Sequence, residues 1–98
     1  MAIRKQFLKS KPVCKVTFTV PAADANNVSL VGNWNAWSTE AEPLKKLKNG
    51  LFKGTVNLEK NQSYEFRYLV DGQWKNEEEA DAFAWNDYAA DENSVLKL

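Results

Sequence analysis

The chain has 98 residues, 44% of them hydrophobic and 27% charged, which suits one globular domain over residues 1–98 with a single core and excludes a second. Thirteen Lys and Arg balance thirteen Asp and Glu, so neither nucleic acid nor an anionic membrane is an expected partner. With no histidine and one cysteine, Ser-His-Asp and Cys-His catalysis and Cys/His zinc sites are excluded, and four scattered glycines make no phosphate loop.

The start of the chain is basic, with Arg4, Lys5, Lys9, Lys11 and Lys15, but has no apolar run that reads as a signal peptide. A cytoplasmic location is therefore the expectation. In residues 13–20, apolar Cys14, Val16, Phe18 and Val20 alternate with Lys15, Thr17 and Thr19, the two-residue period of a half-buried strand. Pro21 ends it. Cys14 falls on the inward parity and has no cysteine partner, which agrees with a reducing compartment. Residues 28–31 make a short second strand closed by Gly32, and a turn-rich stretch follows.

Residues 44–47 and 51–58 flank Asn49-Gly50, a strong hairpin signal. In residues 64–70 the apolar Tyr64, Phe66, Tyr68 and Val70 alternate with Glu65, Arg67 and Leu69, predicting the longest strand. Asp71-Gly72 then turns the chain back toward Trp74. Residues 76–93 lack both periods and read as a long surface loop. Seven acids and no base lie within residues 77–92, a run expected to face water, and its spacing matches no EF-hand calcium loop. Trp85, with Phe83 and Tyr88, is expected to pin this loop to the body. Residues 94–98 resume a weak alternation as a final strand. Short strands and frequent turns, without an amphipathic helix, predict an all-β antiparallel sandwich.

Two of the four tryptophans stand in Gly32-Asn33-Trp34-Asn35-Ala36-Trp37, which is neither strand nor helix. A tryptophan in a loop either plugs the end of the core or offers a flat apolar face to a ligand. Three residues apart, Trp34 and Trp37 are able to take one role each. Asn33 and Asn35 place amide donors and acceptors beside them. Sugars suit such a pairing, with a C–H face for stacking and hydroxyls for two-sided hydrogen bonds. Trp74 is a second platform at a strand edge, and Arg67, on the outward parity, presents a fork of donors that could also form a cross-strand ion pair.

The succession GNWNAW at 32–37 and YEFRYLVDGQW at 64–74, ending in ENSVL at 92–96, resembles carbohydrate-binding module family 48, the glycogen-binding or isoamylase early-set domain. The resemblance implies an immunoglobulin-like early-set sandwich and a non-catalytic grip on an α-1,4-glucan such as glycogen, starch or a maltooligosaccharide, with no cofactor and no metal. By motif position it assigns the carbohydrate contacts to Trp37, Arg67, Trp74 and Asn93, and puts Trp34 where the family has a buried aromatic residue. Arg67 stands where the AMP-activated protein kinase β subunit has lysine, and Ala89-Ala90-Asp91-Glu92 departs from the loop of sugar-gripping members. The alternative is a scaffold domain of the same fold, whose sandwich edge or acidic segment docks a protein such as a glucan-metabolising enzyme.

Overall fold

The computed structural model describes residues 2–40 and 42–98. Its first sheet is β1 (Ala2–Phe7), β2 (Val13–Pro21), β5 (Leu51–Glu59) and β4 (Lys45–Lys46), in that spatial order and antiparallel throughout. Its second sheet is β3 (Val28–Gly32), β6 (Ser63–Val70), β9 (Asp91–Lys97) and β8 (Ala82–Asn86), with β7 (Gln73–Lys75) also paired to β6. The two sheets pack face to face as an immunoglobulin-like sandwich, as alternation and turn spacing predict.

The inward parity of each strand supplies the core. Val16, Phe18 and Val20 of β2 and Phe52 of β5 meet Leu30 of β3, Phe66 and Tyr68 of β6 and Leu96 of β9, all buried. Each such side chain contributes roughly 1.5–3 kcal/mol by leaving water. Phe18 and Phe66 meet edge to face at 5.3 Å, and Phe66 and Tyr68 at 5.7 Å, the offset geometry that ring quadrupoles favour. Cys14 is buried and free, on the side its parity indicates.

One strand was not anticipated, and two local expectations are corrected. Residues 2–7 form a strand although their alternation is poor, because β2 offers them a complete antiparallel ladder from Ala2–Thr19 to Phe7–Cys14. Residues 76–93 are not one loop: β8 occupies Ala82–Asn86, and the last strand begins at Asp91 rather than Ser94. The first arm of the Asn49-Gly50 hairpin is also shorter than expected, only Lys45–Lys46, with Gly50 at φ +84° in the turn.

The acidic run does not face water as a unit. Glu77 is fully buried: its carboxylate accepts from the Tyr68 hydroxyl at 2.8 Å and from the Glu79 N–H at 3.0 Å, while its own N–H donates to Ser94 Oγ at 2.8 Å. A buried carboxylate is tolerable when its oxygens are so satisfied. Burial pushes the Tyr68 phenol far above its ordinary range, and the hydrogen bond and charge of Glu77 push the same way. This cluster anchors the chain just after β7, and hence Trp74, to β6 and β9.

Trp85 does not pin the segment inward. It is 63% exposed, with Nε1 donating to Asp87 Oδ1 at 2.6 Å. It shares a strand face with Phe83, whose cross-strand neighbour Ser94 lies beside Phe66, so both rings are on the core-facing side. β8 is the outermost strand, and the facing sheet does not cover it.

Candidate functional site

The turn after β3 separates its two tryptophans by direction. Gly32 brings the backbone against the Trp34 ring: a Cβ there would lie 2.5 Å from a ring carbon, so only glycine lets that ring lie across the strand end. Trp34 then packs between Phe18, Tyr64 and Phe66 at centroid distances of 6.0–6.3 Å, and its Nε1 donates to Glu42 Oε2 at 2.8 Å. After the single 3-10 turn Asn33–Asn35, both Ala36 and Trp37 take left-handed backbone, φ +56° and +57°. Such conformations cost about 1–2 kcal/mol per residue and persist where the surroundings impose them. Here Trp37 N–H donates to Gly32 C=O at 2.9 Å, and the reversal throws the Trp37 ring outward, 37% exposed.

Asn35 is fully engaged by the turn itself, and Asn33 is tied down through its oxygen. Asn35 accepts from Gly32 N–H and donates to Leu30 C=O and Glu42 Oε2, and Asn33 Oδ1 accepts from Glu65 N–H. Orphan backbone groups in a tight turn need partners, and these side chains supply them. Their task is to brace the turn that presents Trp37.

On β6, Arg67 faces outward across from Val31, and both are buried on this outer face. The Asp71-Gly72 turn, at φ +46° and +83°, returns β7 antiparallel so that Trp74 stands opposite Leu69 and remains 44% exposed. The Arg67 guanidinium lies 5.5 Å from the Trp74 ring centre and pairs with Asp91 Oδ2 at 3.0 Å. A planar cation can stack and pair simultaneously in this way, so the ion pair and the outward site are one arrangement. Among the described residues its buried Nε–H has no hydrogen-bond partner.

The β8–β9 hairpin closes the remaining side. Asn86 Oδ1 accepts from the N–H groups of Tyr88 and Ala89, and Ala90 turns the chain at φ +52° before Asp91 pairs with Asn86 in register. The result is a cleft of about 820 Å³, within the range of small-ligand sites. Trp37 and Trp74 provide its aromatic walls, Arg67 and Asp91 its charged floor, and Asn86 with Tyr88 and Ala89 its far rim.

Of the four residues expected to touch carbohydrate, the fold brings Trp37, Arg67 and Trp74 to one cleft. Asn93 does not line it. It is buried, donating to Glu65 Oε1 at 3.2 Å and accepting from Asn86 Nδ2 at 3.4 Å. Asn93 therefore props up Asn86, which does reach the wall. Sequence reasoning missed Asn86, Tyr88 and Asp91 because they sit in the stretch taken as loop; the only local signal was the Asn-Asp pair at 86–87, a common turn former.

Among the described residues, Asp91 is the one carboxylate that lines the cleft, and it is engaged by Arg67. What the arrangement offers is two indole faces and a guanidinium held between a ring and a carboxylate: stacking surface plus a fixed hydrogen-bond donor group. A 51-residue stretch, 52% of this chain, is 41% identical to Protein PTST homolog 2, chloroplastic, of Arabidopsis thaliana, and covers 9% of that protein's length. The family model for the glycogen recognition site of AMP-activated protein kinase matches residues 14–96, which take in β3 to β8, all but one residue each of β2 and β9, and every residue that lines the cleft. On that match, and with a two-tryptophan cleft on the outer face of an early-set sandwich, the chain belongs to the family of the glycogen recognition site of AMP-activated protein kinase.

Proposed function

We propose that this chain is a non-catalytic α-glucan-binding module, holding a short run of glucose rings of glycogen, starch or a maltooligosaccharide in the cleft. The observation that carries the reading is the convergence of Trp37 and Trp74 on one cleft with Arg67 between a ring and a carboxylate. Trp37 and Trp74 stack on the apolar faces of successive glucose units, and the part of the Arg67 guanidinium that lines the cleft donates to a hydroxyl. Asn93 acts behind the wall, through Asn86. A shallow site gripping a few rings binds at about −4 to −6 kcal/mol, roughly millimolar to tens of micromolar. Repeated sites on a branched polymer raise the effective affinity. A glucan-metabolising enzyme working on the same polymer is the protein partner that fits this reading.

The test is a titration of intrinsic tryptophan fluorescence with maltoheptaose on wild type and Trp37→Ala, with cellohexaose as the control sugar. Saturable quenching by the α-glucan alone, lost in the variant, is expected. A folded wild type that gives no response to millimolar maltoheptaose overturns the reading. Release of reducing ends from maltoheptaose by the purified chain would overturn its non-catalytic part.

A further inference from the structure

The outer face of the first sheet carries charge that its edges do not explain. Charge on an edge strand keeps foreign strands from pairing, which accounts for Arg4 on β1 and Lys45 on β4. Lys15 and Lys53 belong to β2 and β5, the two central strands, and need another reason. Lys53 stands directly opposite Lys45, a like-charge pair that costs stability unless an anion lies between the two. Among the described residues, none of these four cations has a carboxylate within salt-bridge distance. The acid that these strands place on the same face, Glu59, lies at its far end opposite Val13 and accepts from Gln62 Nε2 at 2.8 Å.

The register makes the donors converge. Arg4 and Thr55 are the direct cross-strand partners of Thr17, Lys15 lies two residues before it on the same face, and Gln6 and Lys53 are its diagonal neighbours. Direct neighbours have Cβ atoms about 5 Å apart and diagonal ones about 7–8 Å, within reach of long side chains. These six residues line a hollow of about 210 Å³. At its centre the Thr17 and Thr55 hydroxyls are 3.3 Å apart; one donates to the other, and the second keeps its proton for a third partner.

We infer that this hollow binds the phosphate of a small phosphate monoester. Such a group brings nearly two negative charges and three acceptor oxygens to one point, which suits three cations, an amide and a hydroxyl pair arranged around a centre. An acidic peptide or a nucleic-acid backbone spaces its charges along a line and matches a stripe instead. A second copy is a poor source of anions, because Glu77 is buried, Asp81 and Asp91 are paired with Lys5 and Arg67, and Asp87 holds Trp85 Nε1. Arg4, Gln6, Lys15, Lys53 and Thr55 are exposed, so the organic part of the ester projects into solvent and binding is weak and salt-dependent. The hollow is independent of the glucan reading, since none of its residues lines the cleft.

The experiment is an amide NMR titration of the full chain with glucose 6-phosphate and phenyl phosphate at neutral pH and fixed ionic strength. Inorganic phosphate, acetate and a capped tetra-aspartate peptide are the comparison ligands. Saturable shifts centred on residues 4–6, 15–17 and 53–55 are expected, with ester dissociation constants at least about tenfold below that of acetate. Thr17→Val with Thr55→Val removes the hydroxyls at nearly constant shape and charge and is expected to weaken ester binding at least about threefold. Lys15→Ser with Lys53→Ser is expected to abolish it, and both pairs to leave maltoheptaose binding intact. The inference is overturned by no saturation at tens of millimolar ester, by an equal response to acetate, or by unchanged ester affinity in the threonine pair. Tighter binding of tetra-aspartate also overturns it, giving the face to an acidic protein segment, as does binding of inorganic phosphate where both esters fail.

Discussion

The two outer faces of the sandwich start from the same pattern and end differently. On the first sheet, Lys15, Thr17 and Thr19 of β2 lie beside Asn57, Thr55 and Lys53 of β5, with the Thr17 and Thr55 hydroxyls 3.3 Å apart. On the second, Arg67 of β6 is buried beneath an aromatic cleft. Both faces obey the period-two rule. What distinguishes them is hung on the strand ends: a turn with two left-handed residues, a short return strand and the β8–β9 hairpin. A sheet face becomes a site here because its loops fold back over it, and those loops are held by buried groups beneath.

The largest expected effect comes from the plug under the turn. Trp34→Ala removes a ring in contact with three core aromatics and should lower unfolding free energy by about 3–5 kcal/mol, measured by urea denaturation. A loss below about 1 kcal/mol would show that the turn stands without the core beneath it. Next comes the anchor below Trp74. Tyr68→Phe strips the buried Glu77 carboxylate of a donor and should cost about 1–3 kcal/mol. The same phenol gives a signature in alkali. Its folded pKa lies above the unfolded value of about 10, so its stabilisation is complete below that pH and is lost as pH climbs beyond it. Wild type should lose stability more steeply than Tyr68→Phe in that range.

Smaller in energy but specific to function are the exposed rings. Trp37→Ala and Trp74→Ala should each weaken maltoheptaose binding at least tenfold, about 1.4 kcal/mol, with stability within about 0.5 kcal/mol of wild type. An unchanged affinity in either variant would mean that the cleft walls are not the stacking surfaces. The control on the opposite face is the double substitution Lys15→Ser and Lys53→Ser, for which isothermal titration calorimetry should detect no change. A loss of glucan affinity there would erase the contrast between the faces.

Much of this was legible in particular residues. Cys14, Val16, Phe18 and Val20 announce a strand and its buried side, and Asp71-Gly72 announces the return that lifts Trp74 to the surface. GNWNAW points to a site although no periodicity runs through it. β1 was not legible because an edge strand with Ile3 and Phe7 among charged residues has little pattern of its own and is ordered by its neighbour. β8 was hidden by composition: alanine on one face and aromatics on the other resemble neither a strand with one wet side nor a helix.

The sequence alone determined the sandwich, its two principal hairpins and the outward parity of Arg67, because strand period and turn chemistry are local and each residue reports them independently. Only the tertiary structure decided that Glu77 is buried on Tyr68, and that Asn93 stands behind the cleft wall while Asn86 forms part of it. Those outcomes depend on contacts between residues far apart in the chain. A side chain's exposure is set by what the other sheet and loops place over it, and no local pattern carries that information.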